Sequence, residues 1–375
     1  MNINDCMSEM DRVVQVKERT NAWAADPKRR PAIAFEFFQA AHRLRTHGCA
    51  DGCMEMIFAE AATAKEAALR QRALRVATRV VEQDPKYLLP DGCRISSKEI
   101  EMLKPIGEGA YGKVWAATFR GALVAVKRMR VHRVDDRLLK DFLGELALMR
   151  FLRHPHVVLL IGALSKGSDM AIVLEYCARG SLWDVLHDVD ISLSWGTRVR
   201  FARQICQGML YLHRWRPRPI LHRDLKSLNI LVDASMNLKI SDFGWARVKA
   251  AEGDNMTGSV GTYQWMAPEV LESSEYSEKA DVFSFGVVLW EILSRQPPYP
   301  GMDPVNVATQ VVKNGLRPEI PPDSPRRWVS LMNRCWAQDP KDRLDFAQIL
   351  EELDVFAAAI EEQKSKRYSS KERKH

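Results

Sequence analysis

The order of apolar and polar positions predicts strands first and helices later in the main part of the chain. Beyond residue 100, "VWAATF" and "ALVAVKRM" are rich in β-branched and aromatic residues and flank a turn at Arg120 and Gly121, which indicates a β-hairpin. A helix is predicted at about residues 136–153. Further along, "ILV" and "LKI" lie on either side of a polar turn and predict a second, shorter hairpin.

Helical periodicity dominates the later part of the chain. Apolar residues recur at helical spacing within residues 197–214, 281–295, 304–314, 326–336 and 346–363. Proline-rich stretches such as "RQPPYPG" separate these segments and mark loops. Strands followed by helices are expected of a two-lobed α+β fold.

The two ends of the chain differ from this body. Residues 54–81 contain neither proline nor glycine and are rich in good helix formers, and "EQDPKYLLPDGCRISS" follows them as a linker. We therefore predict a helical N-terminal extension over residues 1–95 that regulates the rest of the chain or dimerises. Residues 359–375 are basic and polar, which predicts a disordered tail.

Composition is that of a globular protein in a reducing compartment. Of the 375 residues, 46% are hydrophobic and 27% are charged, which is sufficient for a substantial core. The 7 cysteines are odd in number and scattered, which favours reduced thiols over a disulfide framework. The chain starts without a secretory apolar region, and its apolar runs are too short to span a bilayer. We predict a soluble cytoplasmic protein with no transmembrane segment.

Charge and ligand spacing argue against a nucleic-acid-binding protein and a zinc protein. The formal net charge is +7, but the excess lies in residues 1–98 and 361–375, which leaves the centre nearly neutral. A nucleic-acid-binding protein would concentrate basic residues on one element, so we expect no nucleic-acid partner. Four potential zinc ligands lie near one another: His42, His47, Cys49 and Cys53. Their spacing is looser than that of usual zinc ligands, and we interpret them as loop residues.

Three glycines lie between two predicted strands in "IGEGAYGKV". Gly107, Gly109 and Gly112 form a GxGxxG pattern, which is a weak signal alone because dinucleotide-binding turns share it. In a dinucleotide-binding fold these glycines open a helix, whereas here a second strand follows, so they lie at a hairpin tip. Backbone N–H groups at such a tip can close over phosphates.

Lys127 lies in a strand whose residues alternate between two faces, and it shares a face with Ala125. In isolation, such a lysine would equally suit a sheet edge. The helix that follows places one carboxylate, Glu145, on an otherwise apolar stripe. An unpaired acid on a buried face is costly, so Glu145 needs a cation, and Lys127 is the candidate. A lysine held in this way stays charged and ready for an anionic ligand.

The segment "ILHRDLKSLNILV", residues 220–232, crowds polar residues between apolar flanks. Pairing of "ILV" with "LKI" would bring Asn229 and Asp242 to the same end of the second hairpin. Two oxygen donors there suit Mg²⁺, which usually keeps water and phosphate in its shell. Asp224 lies close enough to orient a hydroxyl near the metal-bound phosphate. Lys226 adds positive charge where the transferring group gathers negative charge.

These motifs occur together in a known family. "GEGAYGKV", "VAVK", Glu145 on its helix, "HRDLKSLN", "DFG" and "APE" stand in the order and at the spacings of eukaryotic protein kinases. The resemblance covers about residues 99–358, and "HPHVVLLIGAL" and "GTYQWMAPEV" are similar to the tyrosine-kinase-like group, of the Raf-like kind. It implies a kinase domain over residues 96–358, with an antiparallel-sheet N-lobe plus one helix and a mainly helical C-lobe.

The resemblance implies that ATP is a substrate and that Mg²⁺, or Mn²⁺ in its place, is the cofactor. The residues implied in catalysis are Lys127, Glu145, Asp224, Lys226, Asn229 and Asp242, of which Asn229 and Asp242 would bind the metal. The residues implied in nucleotide binding are Ile106, Gly107, Glu108, Gly109, Ala110, Tyr111, Gly112, Val114, Ala125, Lys127, Glu175, Cys177 and Leu231.

Supporting roles follow from the same resemblance. Leu174 would be the gatekeeper residue, directly before the hinge that Glu175 to Cys177 would form. Glu269 would pair with Arg343. Asp281 would brace the backbone around Arg223 and Asp224. Three residues would stack as an internal spine: Met149, His222 and Phe243.

Two further sequence positions indicate the class of substrate. Lys226 follows Asp224 by two positions, and Thr262 precedes Ala267 by five, as in serine/threonine kinases. The resemblance therefore implies protein substrates that carry serine or threonine. Because "QWMAPE" is shared with tyrosine kinases, dual specificity is the alternative. The alternative to an enzyme is a pseudokinase scaffold that acts by binding alone, and the intact catalytic positions argue against it.

Regulation by phosphorylation is a further expectation. Arg223 directly before Asp224 is the family feature that accompanies activation by a phosphate between Asp242 and Glu269. Thr257 and Ser259 are the candidates in that interval: an upstream kinase would modify them, and the phosphate would pair with Arg223. The alternative is that they are ordinary loop hydroxyls.

Overall fold

A computed structural model describes residues 93–109, 112–129, 146, 148–166, 169–216, 219–242, 247–248, 260–273 and 276–372. The chain divides into two compact units between Gly92 and Cys93, and every described residue belongs to the second unit. The predicted N-terminal extension up to residue 92, with the group of His42 to Cys53, lies outside the described residues.

The first part of the described unit is a five-stranded antiparallel sheet with the strand order β1-β2-β3-β5-β4. Its strands are β1 Ile100–Gly109, β2 Gly112–Phe119, β3 Ala122–Met129, β4 Leu160–Lys166 and β5 Asp169–Glu175. Arg120 and Gly121 join β2 to β3 with φ angles of 50° and 81°, which are typical of two-residue hairpin turns that match the twist of the strands. The first predicted hairpin and its turn are confirmed.

One face of this sheet is covered by an apolar cluster. Val124 and Val126 of β3 and Val173 of β5 are buried there together with Ile95 and Leu164. Because residues alternate along a strand, their neighbours in β3 point to the opposite face. The opposite face is the one that lines the candidate site described below.

The second part of the unit is mainly helical. Its helices are α1 Leu182–His187, α2 Trp195–His213, α3 Pro268–Ser273, α4 Glu278–Ser294, α5 Pro304–Asn314, α6 Arg326–Cys335 and α7 Phe346–Glu372. The side chains of Ser181, Ser194, Ser277 and Asp303 accept hydrogen bonds from first-turn N–H groups and so begin four of these helices. Gly315 ends α5 with a φ of 64°, the left-handed conformation that glycine adopts without strain.

Helix α4 is the core of the helical part. Every residue from Ala280 to Ile292 is buried, because a helix that is apolar on nearly all sides must be enclosed by other elements. Helices α2 and α6 pack against it. Two carboxylates of α4, Asp281 and Glu291, are also buried, and both accept hydrogen bonds from loops outside the helix.

The described unit also contains two short antiparallel strand pairs. β7 Ile230–Val232 pairs with β8 Leu238–Ile240, which confirms the second predicted hairpin. β6 Ile220–Leu221 pairs with β9 Arg247–Val248. The β7–β8 hairpin packs on α2.

Gly208 of α2 lies against this hairpin with no room for a side chain. A Cβ atom at Gly208 would lie 2.6 Å from Ile240 Cδ1 and 2.7 Å from the backbone oxygen of His156. We expect Gly208→Ala to lower the free energy of unfolding by about 1–3 kcal/mol because the helix must move away from the backbone of His156. Urea unfolding measures the change. A gain of about 1 kcal/mol, the ordinary helix preference for alanine over glycine, would contradict this account.

Helix α7 continues further than predicted. The backbone of residues 359–372 is helical, so the prediction of a disordered tail from residue 359 is wrong for this stretch. Residues 346–372 contain no proline or glycine and are rich in alanine, glutamate, glutamine and lysine, and this local preference for helix outweighs their polarity. None of the described helices has the length and apolar composition needed to cross a membrane.

The helix predicted at residues 136–153 is described only in part. Residues 146, 148 and 149 are helical, and the helical backbone has ended by Phe151. Residues 130–145 and 147 lie outside the described residues, and Glu145 is among them.

Candidate active site

The β7–β8 hairpin places Asn229 and Asp242 at the same end, as its strand pairing predicted. Ile230 pairs with Ile240, and beyond this pair the Ser241 N–H donates to the Asn229 carbonyl over 2.9 Å. Asp242 follows with a φ of 63°, a left-handed conformation that is uncommon for residues other than glycine, although aspartate and asparagine adopt it more often than most. Such conformations persist where the surroundings hold them and occur often at functional sites.

Asp224 is held by two of the residues that follow it. The Asn229 side-chain amide donates to both the backbone oxygen and Oδ2 of Asp224, each over 2.8 Å. Lys226 Nζ lies 2.9 Å from Asp224 Oδ2. Because the amide nitrogen of Asn229 is used in this way, its Oδ1 atom is the one that can bind a cation.

Lys127 connects the sheet to this hairpin. Its Nζ atom lies 3.0 Å from Asp242 Oδ1. Burial by itself raises the pKa of Asp242, but the charge and hydrogen bond of Lys127 lower it overall below its ordinary value. Asp242 is therefore a carboxylate at neutral pH. The predicted partner of Lys127, Glu145, lies outside the described residues, so that pairing stays a prediction.

Small and apolar residues share the face of the sheet that carries Lys127. Val114 lies opposite Lys127 in the register, and Leu174 lies opposite Ala125, and residues opposite one another in antiparallel strands share a face. Because β3 pairs with β5 without a register shift, Ala125 and Lys127, two residues apart, lie on the same face, as predicted. Ala125 and Leu174 are buried, whereas Val114 and Leu231, which are also among the residues implied in nucleotide binding, are half-buried.

The glycine-rich segment forms the tip of the β1–β2 hairpin, as predicted. Gly109 pairs with Gly112, and the two residues between them, Ala110 and Tyr111, lie outside the described residues. The last part of β1 before the tip contains the other predicted nucleotide-binding residues of this segment: Ile106, Gly107 and Glu108. A strand rather than a helix follows the glycines, which agrees with a phosphate-covering hairpin and not with a dinucleotide-binding turn.

The predicted hinge follows β5, which ends at Glu175. Glu175 Oε1 accepts a hydrogen bond from the Leu159 N–H over 2.7 Å, and Oε2 lies 2.9 Å from Lys239 Nζ in β8. The side chain of Glu175 therefore ties the hinge to the β7–β8 hairpin. Burial raises the pKa of the Cys177 thiol to about 12, so this thiol is protonated and a poor nucleophile at neutral pH.

Asp281 of α4 holds the start of the loop that carries Asp224, as predicted. It accepts hydrogen bonds from the backbone N–H groups of His222 and Arg223 over 2.9 and 3.0 Å. His213 and Tyr276 also contact its carboxylate over 2.8 and 3.0 Å. Burial raises the pKa of Asp281, but the hydrogen bond with His213 and the other contacts lower it overall. Arg223 has a φ of 68°, and its backbone bond to Asp281 stabilises this conformation.

The predicted pair of Glu269 and Arg343 is also present. Two parallel hydrogen bonds of 2.7 and 2.8 Å join the guanidinium to the carboxylate, a geometry that gives strong and directional pairing. The Arg343 side chain is fully buried. This pair anchors the start of α3 to the loop before α7.

The spine residue Phe243 and the two candidates for phosphorylation, Thr257 and Ser259, lie outside the described residues. Met149 and His222, which were predicted to stack with Phe243, are both buried. His222 Nε2 lies 3.0 Å from the backbone oxygen of Ser241, which favours a structural role for this histidine. Thr262 falls within the short helical turn Val260–Trp265.

Comparison with known proteins extends this description. The family model for protein tyrosine and serine/threonine kinases matches residues 100–353. The chain is 42% identical to serine/threonine-protein kinase STY46 of Arabidopsis thaliana over 281 residues, which cover 75% of this chain and 48% of that protein. It is 41% identical to probable serine/threonine-protein kinase drkA of Dictyostelium discoideum over 266 residues, which cover 71% of this chain and 41% of that protein. The chain spans less than half of the length of both relatives.

Proposed function

The chain belongs to the protein tyrosine and serine/threonine kinase family, and from this premise we propose that it transfers the γ-phosphate of ATP to serine and threonine hydroxyls of protein substrates. The observation that carries the proposal is that Lys127 of the sheet and Asp224, Asn229 and Asp242 of the helical part are linked by a chain of hydrogen bonds. Lys127 contacts Asp242 over 3.0 Å, and Asn229 contacts Asp224 over 2.8 Å. The Asn229 carbonyl also binds Ser241, the residue directly before Asp242.

The donor set at the hairpin fits a magnesium ion. Asn229 Oδ1 and the Asp242 carboxylate are oxygen ligands of the kind that Mg²⁺ prefers, and Mn²⁺ accepts the same donors. Among the described residues, no group of three or more His, Cys, Asp or Glu side chains could hold a metal ion, so water and phosphate oxygens would complete the coordination. When bound, the ion neutralises the negative charge of the phosphates.

Lys127 and Asp224 supply the other charges that phosphate transfer needs. Lys127 would bind the phosphates of ATP, and the half-buried Val114 and Leu231 would contact its adenine ring. Asp224, fixed by Asn229 and Lys226, would accept the proton of the substrate hydroxyl while the hydroxyl oxygen forms its bond to phosphorus and ADP leaves. Lys226, 2.9 Å from Asp224, would stabilise negative charge on the transferring group.

Serine and threonine are the proposed acceptors. Lys226 stands two positions after Asp224 and Thr262 five positions before Ala267, as the resemblance to serine/threonine kinases implies. The relatives from Arabidopsis and Dictyostelium are named serine/threonine-protein kinases, which supports the same class of acceptor. Activation by phosphorylation of Thr257 or Ser259, and regulation or dimerisation by residues 1–95, remain part of the proposal.

Calorimetry of nucleotide binding tests the metal site. We expect Asp242→Asn to weaken binding of ATP in the presence of Mg²⁺ by about tenfold or more, because one carboxylate ligand is lost. Asp354→Asn is the matched control, since Asp354 forms an exposed ion pair with Arg203 and should leave binding unchanged. Equal affinities of Asp242→Asn and wild type, or no binding by the wild-type chain, would contradict the proposed site.

A further inference from the structure

Leu228 is the one exposed residue in the segment that carries the proposed proton acceptor. Within residues 220–232, all of which the structure describes, every other residue is buried or half-buried. Leu228 is 46% exposed, whereas Leu225 of the same loop is fully buried. Single exposed leucines are ordinary on protein surfaces, so the position of Leu228, together with its exposure, has to carry an argument about function.

The backbone on both sides of Leu228 is fixed. Leu228 is the middle residue of the short helical turn Ser227–Asn229. The Ser227 hydroxyl donates to Glu291 over 2.6 Å, and the Asn229 amide donates to Asp224 over 2.8 Å. Both neighbours of Leu228 are buried. Residues whose neighbours are packed and hydrogen-bonded keep their geometry, so the turn holds Leu228 on its outer side.

This leucine lies close to the place where a substrate hydroxyl would bind. Leu228 directly precedes Asn229, the residue whose side chain contacts Asp224, and consecutive Cα atoms are only about 3.8 Å apart. An extended peptide advances about 3.3 Å per residue. When its serine or threonine meets Asp224, the side chains two or three residues away are therefore the ones that can contact Leu228.

The charges near the turn favour an apolar side chain at this contact. Asp224 is balanced by Lys226, which lies 2.9 Å away. Helix α1 contacts the turn, and its acidic residue, Asp184, accepts hydrogen bonds from the N–H and the hydroxyl of Ser181. A basic substrate side chain would compete with these partners and would be repelled by Lys226. An apolar side chain would instead remove the exposed surface of Leu228 from water.

We propose that Leu228 is a specificity-determining residue, which selects protein substrates with an apolar side chain two or three residues from the acceptor serine or threonine. This inference rests on the proposed kinase activity and deepens it by naming a feature of the substrate. Leu228 takes no part in the proton transfer. Its contribution is an apolar contact, and on an open surface we expect such a contact to change kcat/KM by about tenfold, the lower end of the range for enclosed pockets.

Phosphorylation of synthetic peptides by the full chain tests the preference. Each peptide carries one serine with three alanines on either side, and each of these flanking positions is changed in turn to leucine, lysine or glutamate. At one position, two or three residues from the serine, we expect leucine to give the wild type a kcat/KM about tenfold above that of alanine and of lysine.

Variants of Leu228 test whether this residue is responsible. Leu228→Glu should reverse the preference, so that lysine exceeds leucine at that position, because the introduced carboxylate attracts the lysine side chain. Leu228→Ala should bring the ratio of kcat/KM for the leucine and alanine peptides close to one. A general loss of activity cancels in these ratios. Val355→Glu is the matched control, since Val355 is 58% exposed on α7 and the same kind of change there should keep the wild-type ratios.

Three results would overturn the inference. They are a wild type without a preference for leucine at any position, a leucine preference that survives in either variant of Leu228, and transfer to intact proteins but to none of the peptides, since the substrate would then be selected away from its acceptor. If Leu228→Glu does not fold, Leu228→Ala decides alone. A wild-type chain that transfers no phosphate to peptides or proteins would remove the proposed function together with this inference.

Discussion

Asp224→Asn should lower the rate of phosphate transfer to a protein substrate by about 10²–10⁴-fold, the usual range for loss of a general base. Asparagine keeps the shape of the side chain, but its amide cannot take up the proton that leaves the substrate hydroxyl. Because Asp224 is not among the residues proposed to bind nucleotide, the affinity for ATP with Mg²⁺ should stay within a few-fold of wild type. Transfer of labelled phosphate and calorimetry measure the two quantities on the same preparation.

The same experiment separates an enzyme from a scaffold. Asp354→Asn, a change of the same chemistry at an exposed position, should keep full activity and so controls for the loss of a carboxylate as such. If Asp224→Asn transfers phosphate as fast as wild type, the assignment of Asp224 is wrong. A wild-type chain that binds ATP but transfers nothing would favour the pseudokinase alternative.

Glu269→Ala should lower the free energy of unfolding by about 3 kcal/mol. The Arg343 side chain is fully buried and would lose the partner that balances its charge, and leaving one charge of a buried pair alone is strongly destabilising. Three backbone oxygens, of Ala337, Lys279 and Gln338, also accept from the guanidinium, which limits the loss. Urea unfolding followed by tryptophan fluorescence measures the change.

An exposed ion pair provides the comparison for this prediction. Arg334 and Glu352 form a pair whose side chains are 46% and 45% exposed, and exposed pairs usually contribute less than about 1 kcal/mol. We therefore expect Glu352→Ala to lower the stability much less than Glu269→Ala. Equal effects of the two changes would show that burial does not set the strength of the Glu269 pair.

For elements with strong local patterns, the first and last residues predicted from the sequence are those that the structure shows. β3, Ala122–Met129, alternates cleanly, and α5, Pro304–Asn314, has a cap at Asp303 and a glycine directly after its end. Two short helices, α1 and α3, were not predicted because one and a half turns leave no detectable period. The prediction of a disordered tail from residue 359 is wrong up to Glu372, because the helix-forming residues of this stretch outweigh its polarity.

In the site, the motifs identified residues but not their contacts. The strand pairing of the second hairpin and the role of Asp281 followed from pattern and resemblance. The contact of Lys127 with Asp242 did not, because 115 residues separate them in sequence. His213 and Tyr276 belong to no motif, and only the fold brings them to Asp281. For Glu291 a signal was present, since "GVVLWEIL" contains one carboxylate among apolar residues, and such a residue needs a partner or a task.

The enclosure of α4 has a thermodynamic consequence for the loop that it holds. With its backbone fixed at His222 and Arg223 and its far side fixed at Ser227, the loop has few conformations left before any substrate arrives. Binding of a substrate hydroxyl next to Asp224 therefore costs little conformational entropy in this loop.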